Sequence, residues 1–177
     1  TTSAFSTSTE EDELVSFSVA DFANQFSDSD VSDSLAKIQL TSLPDSSNGV
    51  LKLNGVDVSA GDEISVAEIP SLVFAPAPNW NGDTSFSWKG SDGIDYSASP
   101  ASTTITVSAV NDPPVVTGPV TLAQTVTITE TQLLENATDI EGASLSISGL
   151  TVDESQGALN ANPDGVSWMF TPASGFT

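Results

Sequence analysis

The sequence predicts an all-β protein made of two β-sandwich units in tandem, the second of them incomplete. Three observations predict this. Thr, Ser, Val and Gly dominate the 177 residues and strong helix formers are sparse, which suits pleated, half-buried strands. Residues 10–110 read as about seven short alternating strands with turn residues every ~8–12 positions, the spacing of a sandwich. After Val110-Asn111-Asp112-Pro113-Pro114 the sequence restarts with a shorter version of what came first, a divergent internal repeat.

Charge narrows the function. There are 24 acidic residues against Lys37, Lys52 and Lys89, with no Arg and no His, for a net charge of −21. Nothing here can neutralise phosphates, so nucleic acid is excluded as a partner, and an anionic membrane surface with it. Self-repulsion destabilises the compact state unless something offsets it. Divalent cations do so where carboxylates cluster; surface solvation in a salty habitat is the other reading. Without Cys, metal can take over the stapling role of a disulfide. No apolar run reaches the ~18 residues a membrane span needs, and the first residues do not read as a signal peptide, any targeting signal being expected elsewhere.

Residues 1–9 are polar apart from Phe5 and Ala4 and are expected to form a tail or a partial strand. Glu10-Glu11-Asp12-Glu13 then precedes Leu14-Val15-Ser16-Phe17-Ser18-Val19, whose alternation sets Val15, Phe17 and Val19 on one face. Four adjacent acids repel one another, so they are either solvated or hold a cation. Residues 20–26 read as a helical turn with Phe22 and Phe26 in the core. Asp28, Asp30 and Asp33 follow in a D-x-D-x-x-D loop. Such a loop is a polar turn, or it offers alternating oxygen ligands to a hard cation. It lacks the Gly and Glu of an EF-hand.

Residues 35–43 read as a strand and 44–49 as a turn. Asn54-Gly55 between alternating runs is a strong hairpin signal. Residues 63–69 fit a strand or a short helix. Phe86 and Trp88 alternate inward, Ser91-Asp92-Gly93-Ile94-Asp95 is a tight acidic loop, and residues 103–110 close the first unit. The junction that follows is short, acidic and stiffened by Pro113 and Pro114. It is a place to put a cation, and calcium suits a flexible all-oxygen ligand set better than magnesium.

In the second unit (residues 115–177), residues 126–133 echo 9–14, residues 137–142 echo 26–30, and Phe170-Thr171-Pro172-Ala173 echoes Phe74-Ala75-Pro76-Ala77. The echo stops where two strands and a Ser-Asp-Gly loop still follow in the first unit. A sandwich without them is expected to expose an edge and part of its core.

The acidic start, Ser-Asp-x-Asp, Leu-x-Gly, Phe-x-Pro-Ala-x-x-x-x-Gly, Ser-Asp-Gly and Val-Asn-Asp-x-Pro together resemble the cadherin-like tandem repeats of large bacterial surface proteins. Calcium-dependent repeats-in-toxin adhesins belong to that group. The resemblance covers residues 10–114 well and residues 115–177 in part. It implies Greek-key, cadherin- or immunoglobulin-like sandwiches with calcium where domains meet, residues 111–114 being the calcium-binding linker. The ligands it implies are Glu11 and Asn79 at the base of the first domain, Asn111 and Asp112 in the linker, and Asp139 and Glu141 at the top of the second. At the top of the first domain it implies Asp28, Asp30 and Asp92, with Asp33 and Asp95 beside them. Glu130 would face a further joint. The second Ser-Asp-Gly is missing.

The expected role is a calcium-rigidified extender that holds neighbouring repeats in an extended rod at the bacterial cell surface, any cell-surface or glycan ligand being bound by other domains. The rival is a secreted carbohydrate-binding sandwich using Trp80, since the alternation of Trp88 and Trp168 suggests core. An enzyme is not expected: without His and Cys the usual nucleophile–base pairs are excluded.

Overall fold

A computed structural model describes residues 1–28, 34–120 and 127–175. The chain divides into two compact units, Thr1–Val110 and Asn111–Thr177.

The first unit is a two-sheet sandwich. One sheet has five strands in the order β1-β9-β8-β3-β6: β1 (Phe5–Glu10), β3 (Lys37–Ser42), β6 (Glu63–Ser65), β8 (Gly82–Ser91) and β9 (Ala101–Ser108). The other has β2 (Val15–Ser16), β4 (Gly49–Leu53), β5 (Val56–Asp57) and β7 (Leu72–Pro76) in the order β2-β7-β4-β5. Helix α1 (Val19–Ala23) turns the chain between them.

Alternating apolar residues close the core. Phe74, Leu72, Phe86, Trp88, Ile38, Leu40 and Ile105 are fully buried. Phe22 sits at the centre, 5.0 Å edge-on to Trp88 and 5.3 Å edge-on to Phe5. Phe17 meets Phe86 at 5.6 Å. Such offset aromatic contacts add about 0.5–1.5 kcal/mol each beyond burial. The Trp88 indole N–H donates to Thr103 Oγ1 at 3.1 Å, so its polar atom is satisfied inside the core.

Three expectations change. Residues 1–9, expected as a tail or a partial strand, contribute a strand to the sandwich: β1 pairs parallel with β9, Phe5 facing Thr103. The strand expected over 35–43 is confined to β3. Residues 63–69 resolve into strand β6, then a turn, then a 3-10 turn over Ile69–Ser71 that Pro70 starts. The Asn54-Gly55 hairpin joins β4 to β5, with φ of 52° and 81°, the left-handed pair of a type I′ turn.

The second unit has a three-stranded sheet in the order β11-β14-β13 and a two-stranded ribbon β10-β12. Its elements are β10 (Val115–Val116), β11 (Thr127–Thr129), α2 (Glu130–Leu133), β12 (Ala137–Thr138), β13 (Gly157–Ala161) and β14 (Ser167–Pro172).

The β13–β14 pairing repeats β4–β7 pair for pair, and β11 joins β14 in the register in which β2 joins β7, Thr127 facing Met169 as Ser16 faces Val73. Gly49 pairs with Pro76 and Leu51 with Phe74 in one; Gly157 pairs with Pro172 and Leu159 with Phe170 in the other. Asp45 Oδ1 accepts from the backbone N and Oγ of Ser47, and Asp153 Oδ1 does the same for Ser155. Ala77 N donates to Asn48 O, as Ala173 N does to Gln156 O. Ser18 N donates to Asp21 Oδ2 at 2.7 Å ahead of α1, and Thr129 N to Gln132 Oε1 at 2.9 Å ahead of α2. This last pair corrects the register of the repeat: Glu130 stands where Val19 does, not where Glu11 does.

Candidate functional site

The chain leaves the first unit beside a buried carboxylate. Glu11 follows β1, and its backbone N donates to Ser108 O at 2.9 Å. Its side chain is 5% exposed, with Oε1 accepting from Val110 N at 2.5 Å. A buried carboxylate costs several kcal/mol unless it is paired or hydrogen-bonded. The ion pairs among the described residues are Lys37–Glu63 and Lys52–Asp57, so no lysine compensates Glu11 there. The donor it does have, Val110 N–H, belongs to the residue just before Asn111-Asp112.

Asp12 belongs to the acidic run but is not among the residues that the resemblance singles out. Its Oδ1 accepts from Asn79 N at 3.0 Å. Both residues have left-handed backbone, φ 63° and 55°, which Asp and Asn tolerate better than most. The acidic run thereby fixes the exposed Pro-rich loop that carries Asn79. No spacing in the sequence pairs residues 12 and 79; an Asp within an acidic run and an Asn in a turn are the only local signals.

In the acidic loop after β8, Asp92 Oδ1 accepts from Ile94 N at 2.7 Å and Asp95 N at 3.0 Å. The first of these bonds, then the second, holds its carboxyl below the ordinary carboxylate range. Tyr96 anchors the loop, its hydroxyl donating to Glu63 Oε1 at 2.5 Å. Asp95 is exposed beside it. Asp28 is exposed after α1, and Asp30 and Asp33 lie outside the described residues.

In the second unit, Asp112 N donates to Glu141 Oε2 at 3.3 Å. Asp112 of the junction and the Asp139–Glu141 loop therefore meet. Asp139 Oδ1 accepts from Ala143 N at 2.9 Å and shapes that loop. Asn111 is exposed and donates through Nδ2 to Asp112 O. Glu130 is engaged within its own unit, accepting from Ile147 N at 2.7 Å.

Among the described residues, no three Asp, Glu, His or Cys side chains converge closely enough to form a metal site by themselves. The donor chemistry nonetheless fits a hard cation: every candidate ligand offers oxygen, and calcium accepts carboxylate, amide, backbone and water oxygens in flexible geometry.

The tryptophans divide. Trp88 is fully buried. Trp80 is half-buried against the core, its ring over Gly82. Trp168, expected in the core, is only half-buried in β14.

Residues 110–177 match the family model of the cadherin-like domain. No curated protein matches the chain. The cadherin-like region thus comprises the whole second unit, and the first unit carries the same sheet, turn and helix cap. Cadherin-like sandwiches are typically extracellular, non-catalytic, adhesion-type modules that generally bind calcium.

Proposed function

We propose that the chain is a calcium-binding extender region of a bacterial cell-surface adhesin, with cations held by oxygen ligands around the Val110-Asn111-Asp112 junction. The observation that carries this reading is Glu11: a buried carboxylate, without a lysine among the described residues, bonded to the residue that begins the junction. The contact of Asp112 with Glu141 supports it from the second unit.

In the first unit Glu11 and Asn79 would contribute, and so would Asp28 and Asp92, with Asp30 and Asp33 proposed from the sequence alone; in the second unit Asn111, Asp112, Asp139 and Glu141 would. A bound cation would neutralise carboxylates of a chain at −21. The protein's own part is to pre-place oxygens: Val110 N–H orients Glu11, Asp12 holds the Asn79 loop, and Pro113 and Pro114 restrict the backbone. The rival carbohydrate reading has less support, because Trp80 packs on the core.

Extracellular calcium modules bind at about 10⁻⁴–10⁻³ M. At ~100-fold excess over that constant, each site stabilises by about 2.7 kcal/mol. Thermal unfolding in calcium, in magnesium and in chelator tests this. A calcium-specific rise of roughly 10 °C is expected, reduced in Glu11→Gln and Asp112→Asn. Identical midpoints in all three conditions would overturn it and leave the acidity as surface solvation.

A further inference from the structure

The chain carries three Asn-Gly pairs (Asn48-Gly49, Asn54-Gly55, Asn81-Gly82) and two Asp-Gly pairs (Asp92-Gly93, Asp164-Gly165). Each allows one reaction by sequence alone. The glycine amide nitrogen, with no Cβ beside it to obstruct the approach, can attack the terminal carbon of the preceding side chain. The fold decides where this happens. The glycine N–H and the side chain must be free of other partners, and the peptide unit between them must be able to rotate.

The Asp-Gly pairs fail the first requirement. Gly93 N donates to Ser91 Oγ at 3.0 Å, and Gly165 N donates to Asn162 O at 3.1 Å. Both carboxylates are also engaged, Asp92 Oδ1 by Ile94 N and Asp95 N, and Asp164 Oδ1 by Val166 N and Ser167 N. An ionised carboxylate is besides a poor electrophile.

Two of the Asn-Gly pairs fail the second requirement. Asn48 O accepts from Ala77 N at 3.0 Å, its Nδ2 donates to Thr84 Oγ1 at 3.4 Å, and Gly49 is buried at the start of β4. Gly82 begins β8 opposite Val107, and the Trp80 ring lies 3.3 Å from the place a Cβ on Gly82 would take. Rotating either peptide unit means opening a strand of the sandwich.

Asn54-Gly55 meets both requirements. The two residues are exposed, and nothing lies within 4 Å of a Cβ built on Gly55. Among the described residues, neither the Asn54 carboxamide nor the Gly55 N–H makes a hydrogen bond. The bond from Asn54 N to Ser71 O at 3.2 Å lies on the other side of the Asn54 Cα from the peptide unit that must rotate. The turn closes on β5, an edge strand of two exposed residues held to β4 through Lys52–Asp57 and Leu53–Val56. A short, solvated edge of this kind opens locally at low cost.

We propose that Asn54 is a spontaneous deamidation site of the folded chain, reacting through a succinimide formed with the amide nitrogen of Gly55. The Gly55 N–H gives its proton to solvent base and the nitrogen attacks Asn54 Cγ. The new C–N bond closes a five-membered ring as the Cγ–Nδ2 bond breaks, and Nδ2 leaves as ammonia. Water then opens the ring at either carbonyl, giving aspartate or isoaspartate at this position. No oxidant or reductant is needed. Isoaspartate adds a methylene to the backbone of a two-residue turn, and either product adds a carboxylate that competes with Asp57 for Lys52.

The test keeps the intact chain in mildly alkaline buffer, with and without concentrated urea, and maps the three Asn-Gly sites by mass and by chromatographic separation of isoaspartate. In urea the three sites should react at comparable rates, since each then has the same two residues in an open chain. Without urea, Asn54 should react about tenfold or more faster than Asn48 and Asn81, which wait for a strand to open. Asn54→Gln should remove most of the isoaspartate formed by the folded chain. Reaction at Asn54 no faster than at the other two sites in the folded chain, or reaction at Asn54 in urea only, would overturn the proposal.

Discussion

Phe74 and Phe170 hold the same position in the two units. Each lies on the central strand of its sheet, opposite a leucine, two residues before the proline that pairs with a glycine. Phe74 is fully buried and Phe170 half-buried. The local sequence around them is equivalent, so the difference comes from what lies across the sheet. In the first unit sixteen apolar residues form one buried cluster. In the second, among the described residues, the buried positions are Gly157 and Ser167, while Val115, Val116, Ile140 and Met169 are exposed. One sheet with correct hydrogen bonds and turns is thus sufficient to specify register, but it does not make a core; that takes a second layer.

The largest expected effect tests this difference directly. Phe74→Ala should cost about 3–5 kcal/mol, the usual loss for a fully buried phenylalanine. Phe170→Ala should cost about 1 kcal/mol or less, because much of its surface is already wet. Denaturant unfolding read by Trp88 fluorescence reports the first unit, and amide exchange in β14 reports the second. Equal costs would mean that the face bearing Phe170 is closed in solution.

A pair of glycine substitutions should act alike in both units. A Cβ on Gly49 would clash with Ala75 O and stand 2.8 Å from Pro76 Cα and 2.6 Å from the Phe74 ring, and one on Gly157 would stand 2.5 Å from Thr171 O and 2.6 Å from the Phe170 ring. No rotamer change relieves a clash with backbone, so Gly49→Ala and Gly157→Ala should each cost about 1–3 kcal/mol. A large cost at Gly49 with none at Gly157 would show that the second sheet is not held in the register described.

Much of the first unit was legible because its signals are local. Alternation put Phe86 and Trp88 inside, and Asn54-Gly55 fixed a hairpin. The place of β1 in the sheet was not legible: Ser and Thr fill the strand, and its parallel pairing with β9 spans about ninety-eight positions of sequence (Phe5 to Thr103). The register of the repeat was misjudged because the acidic residues near Glu11 and Glu130 look alike. The positions that match are the helix caps Ser18/Asp21 and Thr129/Gln132. For Trp168, alternation gives the face of the strand, and whether that face is covered depends on distant chain. The candidate ligands were legible as residue types. The burial of Glu11 and the bond from Asn79 to Asp12 were not, because both are tertiary.

Those helix caps provide a smaller test of equivalence. Asp21→Ala removes the acceptor for Ser18 N, and Gln132→Ala removes the acceptor for Thr129 N. Each should cost about 0.5–1 kcal/mol. Thermal melting followed by exchange at the two helix starts would resolve the losses. A cap that matters in one unit only would place the repeat in its strands and not in its helices.

The smallest expected effect is the acid limb of stability. In the first unit Asp45, Glu63, Glu68 and Asp92 are held below their ordinary pKa by hydrogen bonds; in the second, among the described residues, Asp153 and Asp164 are. Their causes are local. The backbone N of Ser47 acts first on Asp45, Lys37 first on Glu63, and the hydroxyls of Ser155 and Ser167 first on Asp153 and Asp164. A lowered folded pKa means that the unfolded chain takes protons first as pH falls. These groups therefore stabilise fully above the ordinary carboxylate range, about 3.9–4.3, and lose that contribution as pH drops through their folded values. Relief of repulsion among the other carboxylates works in the opposite direction, so the measurement belongs in about 1 M salt, where the screening length is roughly 3 Å. Amide exchange in each unit between pH 5 and 2.5 should show stability falling in both, more steeply in the first. Asp45→Asn should flatten the first slope and Asp153→Asn the second. A steeper limb in the second unit would show that its acid sensitivity arises outside these turns.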